Sequence, residues 1–283
     1  MPLGVEWRVP YRVDLPTTGA MSVSDAFERL VELGALDLEE NAAGGLAALM
    51  PDRVTSRQVA RTLGLARVTT TAAVGRDDGS VWVLSPRPIQ AGPLRIVPAG
   101  AGSPDRPERR TPLTLRLADS AAFGTGLHPT TALCLELIAD TVAVACPDSM
   151  LDIGTGSGIL ALGALVLGIP RATAIDVEPP ALAATAHNAR LNDLSDRLDL
   201  RLGGPDALTG TWPLVVANVL AAPLIEMAST LVRRVGRRGQ LILSGVPVSA
   251  SEEVARAYVR LGMAQVGHRE RGGWVALDLR AGW

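Results

Sequence analysis

The sequence predicts an α/β protein with a mostly parallel sheet, preceded by a small α+β domain. Three observations lead to this prediction. From Leu113 onward, short apolar runs alternate with longer helical patterns, as they do in parallel sheets. An apolar run at 150–153 leads directly into a glycine turn and then into a helical run. The first 75 residues follow a different order of strands and helices, and a chain of 283 residues is long enough for two domains.

The N-terminal segment, residues 1–75, is predicted to be a ferredoxin-like domain with the order β-α-β-β-α-β. Alternate apolar residues from Trp7 to Val13 predict the first strand. Ser24 is the expected N-cap of the first helix, which Gly34 ends. The remaining predicted elements are strands at 35–38 and 46–50, a helix that opens at Thr55 or Ser56 and ends at Gly64, and a strand at 66–74.

Residues 76–112 are predicted to be a linker with some structure of its own, and residues 113–283 to be the second domain. The linker is rich in Pro, Gly and charged residues, which interrupt regular structure. Two short apolar runs inside it, at 82–84 and 94–97, predict brief strands. Strands and helices then alternate to the end of the chain, where 241–245 and 273–277 predict the last strands.

Composition excludes several classes of function. The net charge of -2 argues against a general nucleic-acid or membrane-surface protein. All 27 basic residues are Arg, so the protein has no lysine of its own for Schiff-base or lysine-base chemistry. Cys134 and Cys146 have no metal-ligand spacing, and the three histidines are scattered, so no metal site is expected. Charged residues interrupt the N-terminus and the apolar runs are short, so we expect a cytoplasmic protein without a secretory signal.

Three arginines recur at helical spacing near the second predicted helix. Arg53, Arg57 and Arg61 are four residues apart, which places them on one side of that helix or its approach. A solvated face is one interpretation of this pattern. An anionic partner, such as ribosomal RNA, is the other.

A glycine loop with a partner acid is the most informative motif. The predicted strand at 150–153 runs into Gly154, Gly156 and Gly158, and a helical run follows at 159–167. Glycines let a backbone turn tightly and approach a ligand closely. The next predicted strand, 172–175, ends at Asp176, where a carboxylate can accept hydrogen bonds from both ribose hydroxyls of an adenosine.

Nicotinamide, flavin and S-adenosylmethionine (AdoMet) proteins all use such loops, and a purely structural turn is a further alternative. Two features favour AdoMet. The spacing is GxGxG rather than the GxGxxG of dinucleotide-binding proteins. Asp152, two residues before the first glycine, is placed to hold the amino group of a methionine moiety.

Asn218 ends the third predicted strand of this domain, 213–217. The carboxyl end of a parallel strand faces the ligand crevice, so the Asn218 side chain is a candidate to accept a hydrogen bond from an amine and aim its nitrogen lone pair. The alternative is that Asn218 is a turn residue that caps the next predicted helix, at 223–232.

A Gly-rich segment at 122–131, AFGTGLHPTT, precedes these motifs. Pro129 and the threonines after it predict the start of a helix at 132–138. The free N–H groups of a helix start can hold a carboxylate, and that of the methionyl group is a candidate.

Together these segments resemble the ribosomal protein L11 methyltransferase (PrmA) family. The resemblance rests on 122–131, LDIGTGSGILAL at 151–162, AIDVEPPALAATAHNARLN at 174–192 and ANVLAAPLIEMA at 217–228. It implies a class I AdoMet-dependent methyltransferase with a Rossmann-like, mostly parallel sheet and a small N-terminal domain that recruits substrate. It implies AdoMet contacts at Thr131, Gly154, Gly156, Asp176 and Asn218, with Phe123 and Asp152 as near neighbours.

The expected activity is methyl transfer from AdoMet to lysine side-chain or N-terminal amines of ribosomal protein L11, by a protein expected to be monomeric. Asn218 is the expected catalytic residue. Alternatives are the same chemistry on another protein, a peptide or a small amine, a nicotinamide-dependent oxidoreductase, and a catalytically silent AdoMet-binding protein.

Overall fold

The structure is a computed structural model. It describes residues 10–15, 23–40, 45–72, 75–76, 81–82, 88–99, 113–118 and 128–283. The chain divides into two compact units, residues 1–86 (unit 1) and 87–283 (unit 2). Each unit has a hydrophobic core of its own.

Unit 1 has the predicted order of strands and helices. Its elements are β1 (Tyr11–Leu15), α1 (Val23–Glu32), β2 (Asp37–Glu40), β3 (Leu46–Met50), α2 (Ser56–Thr62) and β4 (Thr69–Ala72), followed by a hairpin of β5 (Gly75–Arg76) and β6 (Val81–Trp82). The four-stranded sheet has the order β2-β3-β1-β4 with antiparallel neighbours, which confirms the ferredoxin-like arrangement. Leu30 of α1 and Val59 of α2 are buried in one core with the strands, so both helices cover the same face of the sheet.

The predicted helix ends of unit 1 are confirmed in part. Thr55 is the N-cap of α2 and forms a capping box with Gln58, and Gly64 follows the helix with φ +68°. Helix α1 begins at Val23, so Ser24 lies inside the helix and the prediction that it is the N-cap was wrong. The strand predicted at 35–38 lies at 37–40, because the chain first leaves α1 through Gly34, which has φ +84°.

Unit 2 alternates strands and helices. Its elements are β7 (Ile89–Ala91), β8 (Leu94–Pro98), β9 (Thr114–Leu117), α3 (Pro129–Val144), β10 (Ser149–Ile153), α4 (Ile159–Leu167), β11 (Arg171–Asp176), α5 (Pro179–Leu191), β12 (Leu198–Leu202), β13 (Trp212–Asn218), α6 (Ala221–Glu226), α7 (Ala228–Val232), β14 (Val235–Pro247), α8 (Ser251–Val259), β15 (Met263–Arg271) and β16 (Trp274–Ala281).

The main sheet has the order β12-β11-β10-β13-β14-β16-β15. The first five strands run parallel to one another. Strand β16 is antiparallel to both β14 and β15. The strand order reverses between β10 and β13. At such a reversal the loops that leave the carboxyl ends of the two strands diverge and open a crevice for a ligand.

Two hydrophobic cores cover the two faces of this sheet. Met150 of β10 packs with α3 and α4, and its neighbour Leu151 packs on the other face with α6, α7 and α8. This alternation places Asp152 on the same face as Met150. Among the described residues, no helix is both long and apolar enough to cross a membrane.

Two strands inside the predicted linker belong to unit 2. Leu94 and Ile96 of β8 are buried in the same core as Leu115 of β9, and β8 pairs with β9 in parallel. Residues on both sides of position 112 therefore share one core. The division of the chain at 75 and 112 into functional parts stays a prediction.

The predicted helix at 223–232 is two helices. Helix α6 ends at Glu226 and α7 begins at Ala228, because Met227 between them has ψ 0° and leaves the helical region. Leu224 and Leu231 are nevertheless buried in one core, so the apolar pattern persists across the break. That persistence is why the sequence suggested one continuous helix.

Candidate active site

The candidate site lies where the sheet order reverses, at the carboxyl ends of β10, β11 and β13. The glycine loop leaves β10 and leads into α4, as predicted. Gly154, Gly156 and Gly158 all have positive φ, at +70°, +57° and +83°. The N–H groups of Gly154 and Thr155 donate to the carbonyl of Ile175, which fastens the loop to the end of β11.

At two of the three glycines, an added side chain would clash with a neighbouring side chain of the protein. A Cβ on Gly154 would lie 2.7 Å from Cγ1 of Val219, and one on Gly158 would lie 2.6 Å from Cγ2 of Thr185. The sequence suggested that glycines serve close approach of a ligand. At these two positions the close approach comes from the loop after β13 and from α5, so internal packing is a sufficient reason for glycine.

Asp176 lies at the end of β11 and holds the loop from one side. One of its carboxylate oxygens accepts a hydrogen bond from the Gly156 N–H at 3.0 Å, and the other accepts from the Glu178 N–H at 3.0 Å. The side chain is only half-buried, so it remains accessible at the strand end. A carboxylate oxygen carries two lone pairs, which leaves acceptor capacity for a ribose hydroxyl.

Asp152 is a buried carboxyl group directly beneath the loop. Its Oδ2 accepts hydrogen bonds from the Thr155 hydroxyl at 2.7 Å and from the Ala161 N–H at 3.2 Å. Its Oδ1 is buried and has no hydrogen-bond partner among the described residues. Burial raises the pKa of Asp152 to about 6, although the two hydrogen bonds favour the ionised form, and the charge of Asp176 adds to the rise.

Asn218 and Thr131 meet across the crevice. Asn218 ends β13, and its Nδ2 donates to the Thr131 hydroxyl of α3 at 3.5 Å. Thr131 is fully buried and Asn218 nearly so. The Asn218 Oδ1 is buried and no described residue donates a hydrogen bond to it, so it can accept one from a ligand. The structure does not place Asn218 as a cap of α6, whose N-cap is Leu220.

Helix α3 begins at the crevice with a cap that the sequence did not suggest. The ring Nδ1 of His128 accepts from the Thr130 N–H at 3.3 Å, and Pro129 occupies the first turn as expected. The His128 ring packs edge-on against Trp274, with ring centres 4.9 Å apart. Phe123, predicted to lie near the cofactor, and the rest of the AFGTG segment fall outside the described residues.

Two residues of α5 hold the glycine loop and were not singled out from the sequence. The Thr185 hydroxyl donates to the Gly156 carbonyl at 2.9 Å, and Nδ2 of Asn188 donates to the Ser157 carbonyl at 2.8 Å. Both side chains are fully buried. A polar pair three residues apart on an otherwise apolar helix face is a signal that could have identified them, because buried polar groups need partners.

The donor and acceptor groups of the crevice fit AdoMet. Two buried oxygens, Oδ1 of Asp152 and Oδ1 of Asn218, lack partners in the described part of the chain, and each can accept a hydrogen bond from an amino group. Asp176 supplies acceptors at the neighbouring strand end. Within the described ranges, no cluster of His, Cys, Asp or Glu side chains has the arrangement of a metal site.

Comparison with known proteins agrees with this reading. A family model described as ribosomal protein L11 methyltransferase (PrmA) matches residues 47–281. A relative from Burkholderia mallei, named ribosomal protein L11 methyltransferase, is 36% identical over 93% of this chain and 95% of its own length. A relative of the same name from Pelobacter propionicus is 36% identical over 77% of this chain and 71% of its own.

A solved structure, the ribosomal protein L11 methylase from Lactobacillus delbrueckii subsp. bulgaricus, is also similar. It aligns with a TM-score of 0.60 and 28% identity, over 69% of this chain and 98% of its own. The similarity and the strand order together establish the class I methyltransferase fold. This chain belongs to the ribosomal protein L11 methyltransferase (PrmA) family.

Proposed function

We propose that this protein transfers methyl groups from AdoMet to lysine side-chain or N-terminal amines of ribosomal protein L11. Family membership supports the donor, the reaction and the acceptor. The observation in this chain that carries the proposal is the buried Oδ1 of Asn218, which has no hydrogen-bond partner among the residues that the structure describes and lies at the reversal of the sheet order. A hydrogen-bond acceptor at this position suits a substrate whose amine donates an N–H.

Six residues are proposed to bind the cofactor in addition to Asn218. Asp152 would hold the amino group, and Asp176 the ribose hydroxyls. Thr131 lies in the first turn of α3, where the positive end of the helix dipole favours a carboxylate. The other contacts are proposed at Gly154, Gly156 and Phe123. When bound, AdoMet supplies a methyl group on a sulfonium, whose departure as a neutral thioether needs no acid.

Asn218 is proposed to orient the attacking amine. Its Oδ1 accepts one N–H of the neutral amine, which directs the nitrogen lone pair toward the crevice, while its Nδ2 stays on Thr131. Positioning of this kind and exclusion of water account for the rate increase. A lysine amine has a pKa near 10.4 and must first lose its proton. We propose that water at the mouth of the crevice accepts this proton.

Calorimetry tests the cofactor assignment. The protein is titrated separately with AdoMet, S-adenosylhomocysteine and NAD. We expect AdoMet and S-adenosylhomocysteine to bind and NAD not to bind. The GxGxG spacing differs from that of dinucleotide-binding proteins, and Asp152 favours a ligand with the amino group of an amino acid. Binding of NAD alone would favour a nicotinamide oxidoreductase. Binding of AdoMet without transfer to any acceptor would identify a silent binding protein.

An acceptor competition tests the substrate. Labelled AdoMet is supplied with purified L11, with cell extract, and with both. Label is expected in L11 under both conditions that contain it. Label confined to another protein, or to a small amine of the extract, would keep the chemistry and replace the acceptor.

We also propose a weak contact with ribosomal RNA through unit 1. Arg53, Arg57 and Arg61 are exposed, and Arg57 and Arg61 lie one turn apart on α2. Arginine forks pair well with phosphate oxygens. We further propose that the protein is a monomer and works in the cytoplasm. If Arg57→Glu/Arg61→Glu binds an RNA hairpin as well as the wild type does, the RNA contact is wrong.

A further inference from the structure

Helix α5 and the residue that caps its C-terminus carry three polar side chains along one face. Thr185, Asn188 and Asn192 follow one another at intervals of three and four residues, which aligns them on a helix. Thr185 is 0% exposed and Asn188 1% exposed. Polar groups buried so completely are retained where their hydrogen bonds fix neighbouring segments.

One end of this polar face fixes the glycine loop. Thr185 and Asn188 donate to two consecutive loop carbonyls, those of Gly156 and Ser157. The N–H of Gly156 donates to Asp176 on the opposite side. The peptide planes of the loop are therefore held both by α5 and by the acid at the end of β11.

The other end of the polar face fixes strand β9. Oδ1 of Asn192 accepts from the Arg116 N–H at 2.8 Å, and its Nδ2 donates to the Arg116 carbonyl at 2.7 Å. Oδ1 of Asn188 accepts from the Ala118 N–H at 2.8 Å. Among the described residues, the side chain of Asn192 thus hydrogen-bonds to β9 and not to the loop, that of Thr185 to the loop and not to β9, and that of Asn188 to both.

We propose that Asn188 is a positioning residue for cofactor binding. Its single buried carboxamide donates to the loop at Ser157 and accepts from the end of β9 at Ala118, so it holds the two segments in one relative geometry. This inference rests on the proposed AdoMet function of the crevice. Asn188 acts on the cofactor through the loop, without a contact of its own.

The test measures binding of S-adenosylhomocysteine to the full chain by calorimetry, in the wild type, Asn188→Ala and Asn192→Ala. Asn188→Ala removes both bonds, and about tenfold weaker binding is expected. Asn192→Ala is the control, because it removes two bonds to Arg116 of β9 and one to the Asn188 carbonyl, and none to the loop. Its affinity should remain within about twofold of the wild type.

The binding stoichiometry separates positioning from a merely structural role. Loss of folded protein lowers the stoichiometry and leaves the dissociation constant of the folded fraction unchanged. Misplacement of the loop raises the dissociation constant with the stoichiometry unchanged, which is the expected result. If Asn188→Ala does not fold, Asn188→Asp is measured in its place, because it keeps an acceptor for Ala118 and loses the donor to Ser157. The same rise in dissociation constant is expected.

Two outcomes would overturn the inference. The first is an unchanged dissociation constant in the folded Asn188 variant, with normal binding by the wild type, and it would leave the proposed function intact. The second is equal weakening in Asn192→Ala, which would show that anchoring β9 is sufficient. If the wild type itself failed to bind, the proposed function would fall and the inference with it.

Discussion

Asp152 is a carboxyl group whose burial favours its neutral form. Its pKa rises from an ordinary 3.8 to about 6, despite hydrogen bonds from Thr155 and Ala161. A shift of this size costs about 3 kcal/mol of folding free energy at neutral pH, because the charged form is poorly solvated in the interior. The unpartnered Oδ1 makes the group receptive to a cationic amino group.

The affinity for S-adenosylhomocysteine should therefore depend on pH. Binding of an ammonium group favours ionised Asp152, so the carboxyl must release its proton when the ligand binds below its pKa of about 6. We expect affinity to fall about tenfold per pH unit below that value and to be flat above it. Calorimetry from pH 4.5 to about 8 measures the profile. A profile that stays flat through pH 6 would contradict the role of Asp152.

Asp152→Asn should stabilise the ligand-free protein and weaken its binding of S-adenosylhomocysteine. Below pH 3.8 the carboxyl is protonated in both the folded and the unfolded chain and carries no cost. As pH rises from there toward 6, the unfolded chain ionises first and the folded state loses stability. The variant escapes this loss, so its melting temperature should exceed that of the wild type at pH 8 and match it near pH 4. A lower melting temperature at pH 8 would be the opposite of this expectation.

Asn218→Ala should separate catalysis from cofactor binding. It removes the oxygen proposed to align the amine, and a misaligned nucleophile costs about 100-fold in kcat. The affinity for S-adenosylhomocysteine should change far less, because Asp152, Asp176 and the loop remain. The measurements are methyl transfer to L11 and calorimetry on the same preparation. Full activity in the variant would remove Asn218 from the mechanism.

The candidate residues of the crevice could be predicted from the sequence, but their partners could not. Asp152, Asp176 and Asn218 stand at strand ends, and strand ends can be read from apolar runs. The contact between Asn218 and Thr131 joins positions 87 residues apart, and no local pattern encodes it. The polar pair Thr185 and Asn188 could have been noticed on α5, but their partners in the loop could not be predicted from a local pattern.

At the scale of elements, the glycine loop is shaped by the helix that packs on it. Gly158 has φ +83°, and a Cβ there would lie 2.6 Å from Thr185. Both the backbone conformation and the contact exclude a side chain. The loop and α5 therefore constrain each other, and the third glycine follows from the position of α5.

Gly158→Ala should destabilise the protein by about 2–4 kcal/mol, from backbone strain and the clash together. Gly210→Ala is the matched control in unit 2, because Gly210 has φ +94° and open space around it, so only strain of about 1 kcal/mol applies. Thr185→Ser in the Gly158→Ala background removes the clashing methyl group and should restore part of the loss. Urea unfolding measures all three, and equal losses at 158 and 210 would remove the clash from the explanation.

Predicted elements agree with the structure best where a long apolar run is bounded by glycines. Helix α4 occupies the predicted range, 159–167, between Gly158 and Gly168. The strand predicted at 241–245 extends over 235–247, because Val235 and Gln240 also pair with β13, on either side of an irregular register. Helix breaks such as Met227 depend on tertiary packing and leave no signal in apolar periodicity.

At the scale of the whole molecule, the two units have separate cores and separate proposed tasks. Unit 1 is a ferredoxin-like domain, and unit 2 contains every described residue of the candidate site. The sequence predicted both folds, because strand and helix order survives errors of a few residues at element ends. The predicted role of unit 1 in recruiting substrate rests on the family resemblance.

Removal of residues 1–86 should leave cofactor binding intact and impair use of L11. The remaining chain keeps both cores of unit 2 and the entire glycine loop, so its affinity for S-adenosylhomocysteine should equal that of the full protein. Loss of a second binding surface for the substrate should lower kcat/KM for L11 by about 100-fold. Unchanged kcat/KM for L11 would show that unit 1 does not recruit the substrate.

The absence of lysine gives the central experiment an unusually clean background. All 27 basic residues are arginine, so the enzyme cannot methylate a lysine of its own. The proposed chemistry needs none, since Asn, Asp, Thr and backbone groups are proposed to supply the polar contacts. Any methyl-lysine found after the reaction must therefore belong to the substrate.

The most direct measurement is transfer of an isotopically labelled methyl group from AdoMet into purified L11, with the modified residues mapped by mass spectrometry. We expect label on lysine side-chain or N-terminal amines of L11 with the wild-type enzyme, and almost none with Asn218→Ala. Unlabelled L11, in the presence of an enzyme shown to bind S-adenosylhomocysteine, would contradict this expectation.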